Sequence, residues 1–179
     1  MSGKTVYILL FRGVGGATQL PVKPLKEALA NAGFENVGTY INSGNAVLRT
    51  DRPKAEMLKI VAEICEREFG FTKAIHAPAL SEWQAVIDNN PFPDFKESQH
   101  LHAAWLDGEP KPGAVEALRA VCVEGEGIEV VGRVAYLHTP HGFGRSKLAE
   151  KFDKLIGVAN TARNWNTVVK LMAMAAAAR

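Results

Sequence analysis

The chain has 179 residues, of which 47% are apolar and 22% charged, with a net charge of +2 and a sequence pI near 8.6. These are the proportions of an ordinary globular protein, long enough for one large domain or two small ones. The charge is too mild to imply nucleic-acid binding by itself, and no stretch approaches the ~20 apolar residues of a membrane-spanning helix.

The N-terminus reads MSGKTVYILLF. Its apolar run is short, stops at Arg12 and lacks a small-residue cleavage pattern, so it reads as a strand and not as a signal peptide. Val6 to Phe11 forms this first strand. The glycine-rich loop RGVGGATQLP follows. Val22, Leu25, Leu29 and Ala32 then repeat at helical spacing up to Gly33. Val37 to Ile41 and Ala46 to Arg49 read as two strands of a hairpin around the turn Ser43-Gly44-Asn45. Met57, Ile60, Val61, Ile64 and Phe69 mark a second helix starting near Pro53. Lys73 to His76 closes the set as a fourth strand. The order β-α-β-β-α-β is the ferredoxin-like pattern.

A connector over residues 79–98 carries a short helix (Leu80, Trp83, Val86, Ile87) and the turn-rich NPFPDF. The order of elements then repeats. His100 to Leu106 is a strand. Val115, Leu118 and Val121 mark a helix. Ile128–Val131 and Val134–Thr139 flank a tight turn at Gly132-Arg133. Leu148, Phe152, Leu155 and Ile156 mark the next helix, Asn160–Arg163 a closing strand, and Asn166–Ala177 a final helix. The expected fold class is therefore α+β: two tandem ferredoxin-like subdomains with antiparallel sheets, a helical connector and a C-terminal helix. Residues 1–78 form the first subdomain, and residues 99–179 form the second with the final helix.

Several chemistries are excluded by spacing. Gly13-x-Gly15 begins a dinucleotide fingerprint, but Thr18 stands where a third glycine is required and a hairpin follows in place of a parallel crossover. HGFGRSKL, residues 141–148, lacks the GxxxxGK[ST] pattern of a phosphate loop. No GxSxG elbow occurs. Cys65 and Cys122 sit far apart in segments that read as helices, with no Cys/His cluster around them. They are expected to be unpaired thiols in a reducing cytoplasm, with no zinc. His100 and His102, two apart on one expected strand, would face the same way, but no third metal ligand is placed beside them, so no metal is expected.

Two polar clusters remain. In HGFGRSKL, Gly142 and Gly144 allow unusual backbone shapes and Ser146 can cap the helix that follows. Arg145 and Lys147 set cations beside that helix start, an arrangement that favours an anion. In TARNWNTVVKL, residues 161–171, Asn164 or Asn166 can cap the last helix, Arg163 can pair bidentately with a carboxylate or phosphate, and Trp165 can stack on a base or join the core.

Four stretches, LLFRGVGG, YINSGNAVL, LHTPHGFGRSKL and TARNWNTVVKL, together with NPFP in the connector, resemble the bacterial domain of unknown function 1697 family. The resemblance extends over nearly the whole chain. It implies two ferredoxin-like subdomains, and it implies no activity, cofactor or substrate. The family usually reads RGINVGG after the first strand; this chain has RGVGG, two residues shorter, which weakens any role of Gly13 to Gly16. Family motif positions present here include Arg12, Ser43, Gly44, Asn45, Gly142, Arg145, Ser146, Lys147, Leu148, Thr161, Arg163, Asn164, Trp165, Asn166 and Thr167.

The functional expectation is a phosphorylated or nucleotide-like small anion bound at helix N-termini by Arg12, Asn45, Arg145, Ser146, Lys147, Arg163, Asn164 and Trp165. One alternative is a purely structural role, in which these residues cap helices and join the subdomains. Another is a transferase or hydrolase using His138 or His141 as a base. A nucleic-acid surface would need aromatics on one exposed sheet face, yet His102 and Trp105 fall on opposite faces. No motif identifies a cofactor or fixes an oligomeric state.

Overall fold

The computed structural model describes residues 3–15, 17–41 and 44–179. Of the expected hairpin turn, Ser43 lies outside the described residues, as does Gly16 of the first loop. The chain forms two compact units, one of residues 1–84 with 170–179 and the other of residues 85–169. These divide the chain inside its connecting helix and inside its last helix, where the sequence reading drew boundaries at 78/79 and 98/99.

The first unit contains β1 (Thr5–Phe11), α1 (Val22–Asn31), β2 (Glu35–Thr39), β3 (Asn45–Thr50), α2 (Lys54–Phe69) and β4 (Ile75–His76). The sheet order is β2-β3-β1-β4, with every pair antiparallel. This is the ferredoxin-like arrangement. β1 is central and buried on both faces, so it reads as an unbroken apolar run with no alternation. Tyr7, Leu9 and Phe11 face the helices and pack with Leu25, Leu29, Met57 and Val61. Val6, Ile8 and Leu10 turn the other way and are equally buried. On that second face the last turns of the C-terminal helix approach Gly38. A Cβ there would lie 3.0 Å from Met174 Cε and 3.2 Å from Val47 Cγ2. Asn36 Nδ2 donates to Ala178 O at 3.0 Å, fixing the end of the same segment.

The second unit repeats the order. It contains β5 (Leu101–Leu106), α4 (Ala114–Ala120), β6 (Gly127–Val131), β7 (Val134–His138), α5 (Lys147–Ile156) and β8 (Asn160–Asn164). Its antiparallel sheet runs β6-β7-β5-β8. Ala104, Leu106, Ile128, Ala135 and Leu137 face the helices and meet Leu118, Leu148, Phe152 and Ile156. On the opposite face lie Trp105, Tyr136, His138 and Arg163. Here the NPFP segment closes down: Asn90 Oδ1 accepts from Phe92 N at 2.9 Å, and the Phe92 ring stacks on His138 with centroids 5.5 Å apart. Tyr136 donates its hydroxyl to Val86 O at 2.6 Å. Between the two sets of strands runs α3 (Leu80–Asp88), and after β8 runs α6 (Trp165–Ala177). At the start of α3, Glu82 accepts the N–H of Ala79 at 2.7 Å, half of a capping box.

Some expectations are corrected. The strand expected over Lys73–His76 is formed only by Ile75–His76, because the backbone bends at Lys73 before it pairs with β1. The strand expected from His100 starts at Leu101; His100 sits in a 3-10 turn, so it does not share a strand face with His102. Cys122 lies past the end of α4 and is not helical. The last helix begins at Trp165, one residue earlier than expected.

Two predictions follow from this packing. Gly44 has φ +77, and a Cβ there would lie 2.8 Å from Phe11 Cβ and 2.9 Å from Phe11 O, which is backbone. Gly44→Ala is expected to cost about 1–3 kcal/mol in urea unfolding. The second concerns His102, whose ring stacks on Phe143 at 3.9 Å. Burial pushes its imidazole down from 6.5 to about 4. Between those values the unfolded chain binds a proton that the folded state refuses, so stability is complete above the unfolded value and is lost as pH falls toward the folded one. Denaturation at about pH 7 and about pH 4.5 should show a His102→Phe variant losing less stability than the parent chain, by roughly 1–2 kcal/mol.

Candidate functional site

The polar cluster before α5 is built by its loop. β7 ends at His138, and Thr139 N donates to His100 O at 2.8 Å while Thr139 O accepts from Gly142 N at 3.0 Å. Gly142 takes φ +111, which excludes most side chains. Gly144 is not in the left-handed region, so of the two expected glycines only Gly142 uses that freedom. A 3-10 turn over Phe143–Arg145 drops the Phe143 ring onto His102. Ser146 is extended, and its Oγ accepts from Ala149 N at 3.2 Å, making it the N-cap of α5. Leu148, Phe152 and Ile156 then bury one stripe of the helix. This leaves Arg145 and Lys147 exposed on either side of the cap. Neither makes an ion pair among the described residues.

The second cluster is used differently. Asn164 Oδ1 accepts from Thr167 N at 3.0 Å and caps α6. Arg163 pairs across the sheet with Ala103, on the face turned away from α5. Its guanidinium donates to Thr161 Oγ1 at 2.6 Å and to Ala162 O at 2.8 Å. Burial pushes its pKa down to about 10, which leaves it charged at neutral pH. Trp165 is 6% exposed and meets Phe95 edge-on at 5.9 Å and Tyr136 at 6.5 Å. It therefore offers no open stacking face.

The structure thus brings Arg145, Ser146 and Lys147 together and sets Arg163 on the other side of the sheet. His138 lies on the Arg163 side, stacked against Phe92. His141 Nε2 is held by Glu124 O at 2.8 Å. Arg12 and Asn45 belong to the first unit. Arg12 is half-buried, with its N–H on Ala74 O at 3.0 Å. Asn45 is buried and donates Nδ2 to Tyr40 O at 3.3 Å.

Sequence reasoning missed two polar groups beside Phe143. His102 Nδ1 and Thr139 Oγ1 are both buried and have no hydrogen-bond partner among the described residues. Strand parity was the available signal, since His102 alternates onto the same face as Ala104 and Leu106. Among the described residues no three His, Cys, Asp or Glu side chains stand together as a metal site.

The fold recurs elsewhere. A solved structure, the conserved bacterial protein SP0830 from Streptococcus pneumoniae, superposes with a TM-score of 0.77 at 20% identity, covering 97% of this chain and 99% of that one. No curated protein matches. The family model described as "Protein of unknown function (DUF1697)" matches residues 4–136. The match runs from β1 into β7 and covers more than half of the chain, which belongs to this family.

Proposed function

We propose that the protein binds a small phosphorylated anion at the start of α5, through Arg145 and Lys147. The observation that carries this reading is two exposed, unpaired cations at the positive end of a helix. Cations at that end oppose the helix dipole by about 0.3–1 kcal/mol each, a cost that a bound anion reverses. Ser146 occupies only the N–H of Ala149, so other amides of the first turn are available to the ligand. Glu150 in the same turn offsets part of the charge. The ligand is read as a phosphoryl group without base recognition, because Trp165 is committed to the core. A cytoplasmic setting is supported by two free thiols, one of them, Cys65, buried and pushed up to about 12. No helix is long and apolar enough to cross a membrane among the described residues.

The enzyme reading draws no support from His138 or His141, each engaged as described. The nucleic-acid reading lacks its platform. Trp105 is buried under the Arg133 guanidinium, 5.4 Å from its ring, and His102 is on the other face beneath Phe143.

A framework role for TARNWN is favoured separately by the internal bonds of Arg163 and Asn164. The two assignments make opposite predictions. Amide resonances of residues 145–148 should shift on titration with inorganic phosphate or a nucleoside monophosphate, with weak affinity on the order of millimolar. Arg145→Ala with Lys147→Ala should weaken that binding about tenfold and leave stability nearly unchanged. An absence of shifts at saturating phosphate refutes the anion site. Arg163→Ala is expected to cost about 1–3 kcal/mol in urea unfolding, since it leaves Thr161 and Ala162 without a buried partner, and Asn164→Ala about 1 kcal/mol through the lost cap. Neither should alter phosphate affinity.

A further inference from the structure

The two units repeat one topology but not one helix packing. In the second unit α4 lies close against α5, whereas in the first unit α1 and α2 touch each other far less. The difference leaves a groove of about 480 Å³ between α1 and α2. Small residues line it: Ala28 on α1 and Ala32 just past its end face the groove where longer side chains would fill it. The opposite wall is apolar, with Ile60 and Phe69 half-buried in the first unit's core. Both edges are acidic. Glu27 rises from α1 and Glu63 from α2; both are exposed, and neither has a hydrogen bond or ion pair among the described residues. The basic group at the groove, Arg67, is already paired with its neighbour Glu68 at 3.2 Å.

An apolar floor between two uncompensated carboxylates is complementary to one kind of occupant. We propose that this groove docks a partner protein through a short cationic amphipathic helix. Its apolar residues enter between Ala28 and Ile60, and its lysines or arginines lie against Glu27 and Glu63. Helices bind apolar grooves in this manner through anchors spaced three and four residues apart. The acidic edges set orientation and partner choice more than affinity. The acidic edges also separate this surface from the anion site at α5, whose ligand carries the opposite charge.

The test uses the full chain and a fluorescein-labelled helical peptide of about 14 residues, four turns, with leucines on one face and lysines on the other. A second peptide carries glutamate at every lysine position. The lysine peptide should raise fluorescence anisotropy with a dissociation constant of roughly 10–100 μM, more weakly as salt is added, and should shift amides of α1 and α2. Glu27→Lys with Glu63→Lys should weaken binding about tenfold. Both positions are exposed, and a matching thermal melt verifies folding. If that pair is unstable, Glu27→Gln with Glu63→Gln tests the same point with a smaller effect. The proposal is overturned if the glutamate peptide binds equally well, if the shifts fall outside α1 and α2, or if charge reversal leaves affinity unchanged. It is also overturned if sedimentation shows the chain self-associating in a manner that the same double variant abolishes, because the groove then belongs to a second copy.

Discussion

The structure depends on burying the central strand of each sheet on both faces. β1 and β5 each pair with a neighbour on either side, so neither has a free edge. Their side chains alternate between two faces, and both sets are almost wholly buried. A strand of this kind demands a cover on each side. The helices α1 and α2, or α4 and α5, supply one. The other face is covered by the end of α6 on the first sheet and by the NPFP turn on the second. On sheet one the terminal segment lays Met174 against Gly38 and Val47. On sheet two the NPFP turn lays Phe92 across Gly127 and His138, a contact so close that a Cβ at Gly127 would lie 2.9 Å from the Phe92 ring.

That requirement explains why some polar motif residues make internal hydrogen bonds. Arg163 and Thr161 alternate onto the face that must be covered, and a guanidinium there has to find acceptors. It finds them in Thr161 and the Ala162 carbonyl, two residues of its own strand. Recruiting Arg163 to a ligand would break those bonds inside a buried layer. Arg145 has no such obligation. The same side chain is thus held by internal hydrogen bonds at position 163 and left exposed at position 145.

Much of this was legible in the sequence. Apolar periodicity located the elements of both units, and their β-α-β-β-α-β order pointed to ferredoxin-like antiparallel sheets. Ser146 was readable as a cap, and Asn164 as one of two candidates with Asn166, because serine and asparagine are favoured just before a helix's apolar stripe. Short-range boundaries were less legible. His100 looks like the first residue of a strand, yet its N–H donates back to Glu97 O at 2.9 Å and closes a 3-10 turn just before the strand begins. Trp165 could be read as a stacking platform or as core, and Phe95 and Tyr136, 70 and 29 residues away in sequence, decide the matter. The spacing between α1 and α2 was invisible as well. It depends on which faces the two helices present to each other, and periodicity shows only which face each presents to the sheet.

The two clusters before α5 and α6 share one design principle with opposite outcomes. A helix start exposes several unpaired N–H groups, and a single cap residue satisfies one of them. What happens to the rest depends on the residues alongside. Burial is alike at the two starts: Trp165 and Thr167 are buried on either side of exposed Asn166 at α6, and Ser146 and Leu148 on either side of exposed Lys147 at α5. The difference is charge, because α5 begins between the exposed cations Arg145 and Lys147, with Glu150 in the same turn. An anion bound there, as proposed above, would be held weakly, because both cations are solvated and screened by salt. On that reading the ligand is a small phosphorylated anion present at high concentration.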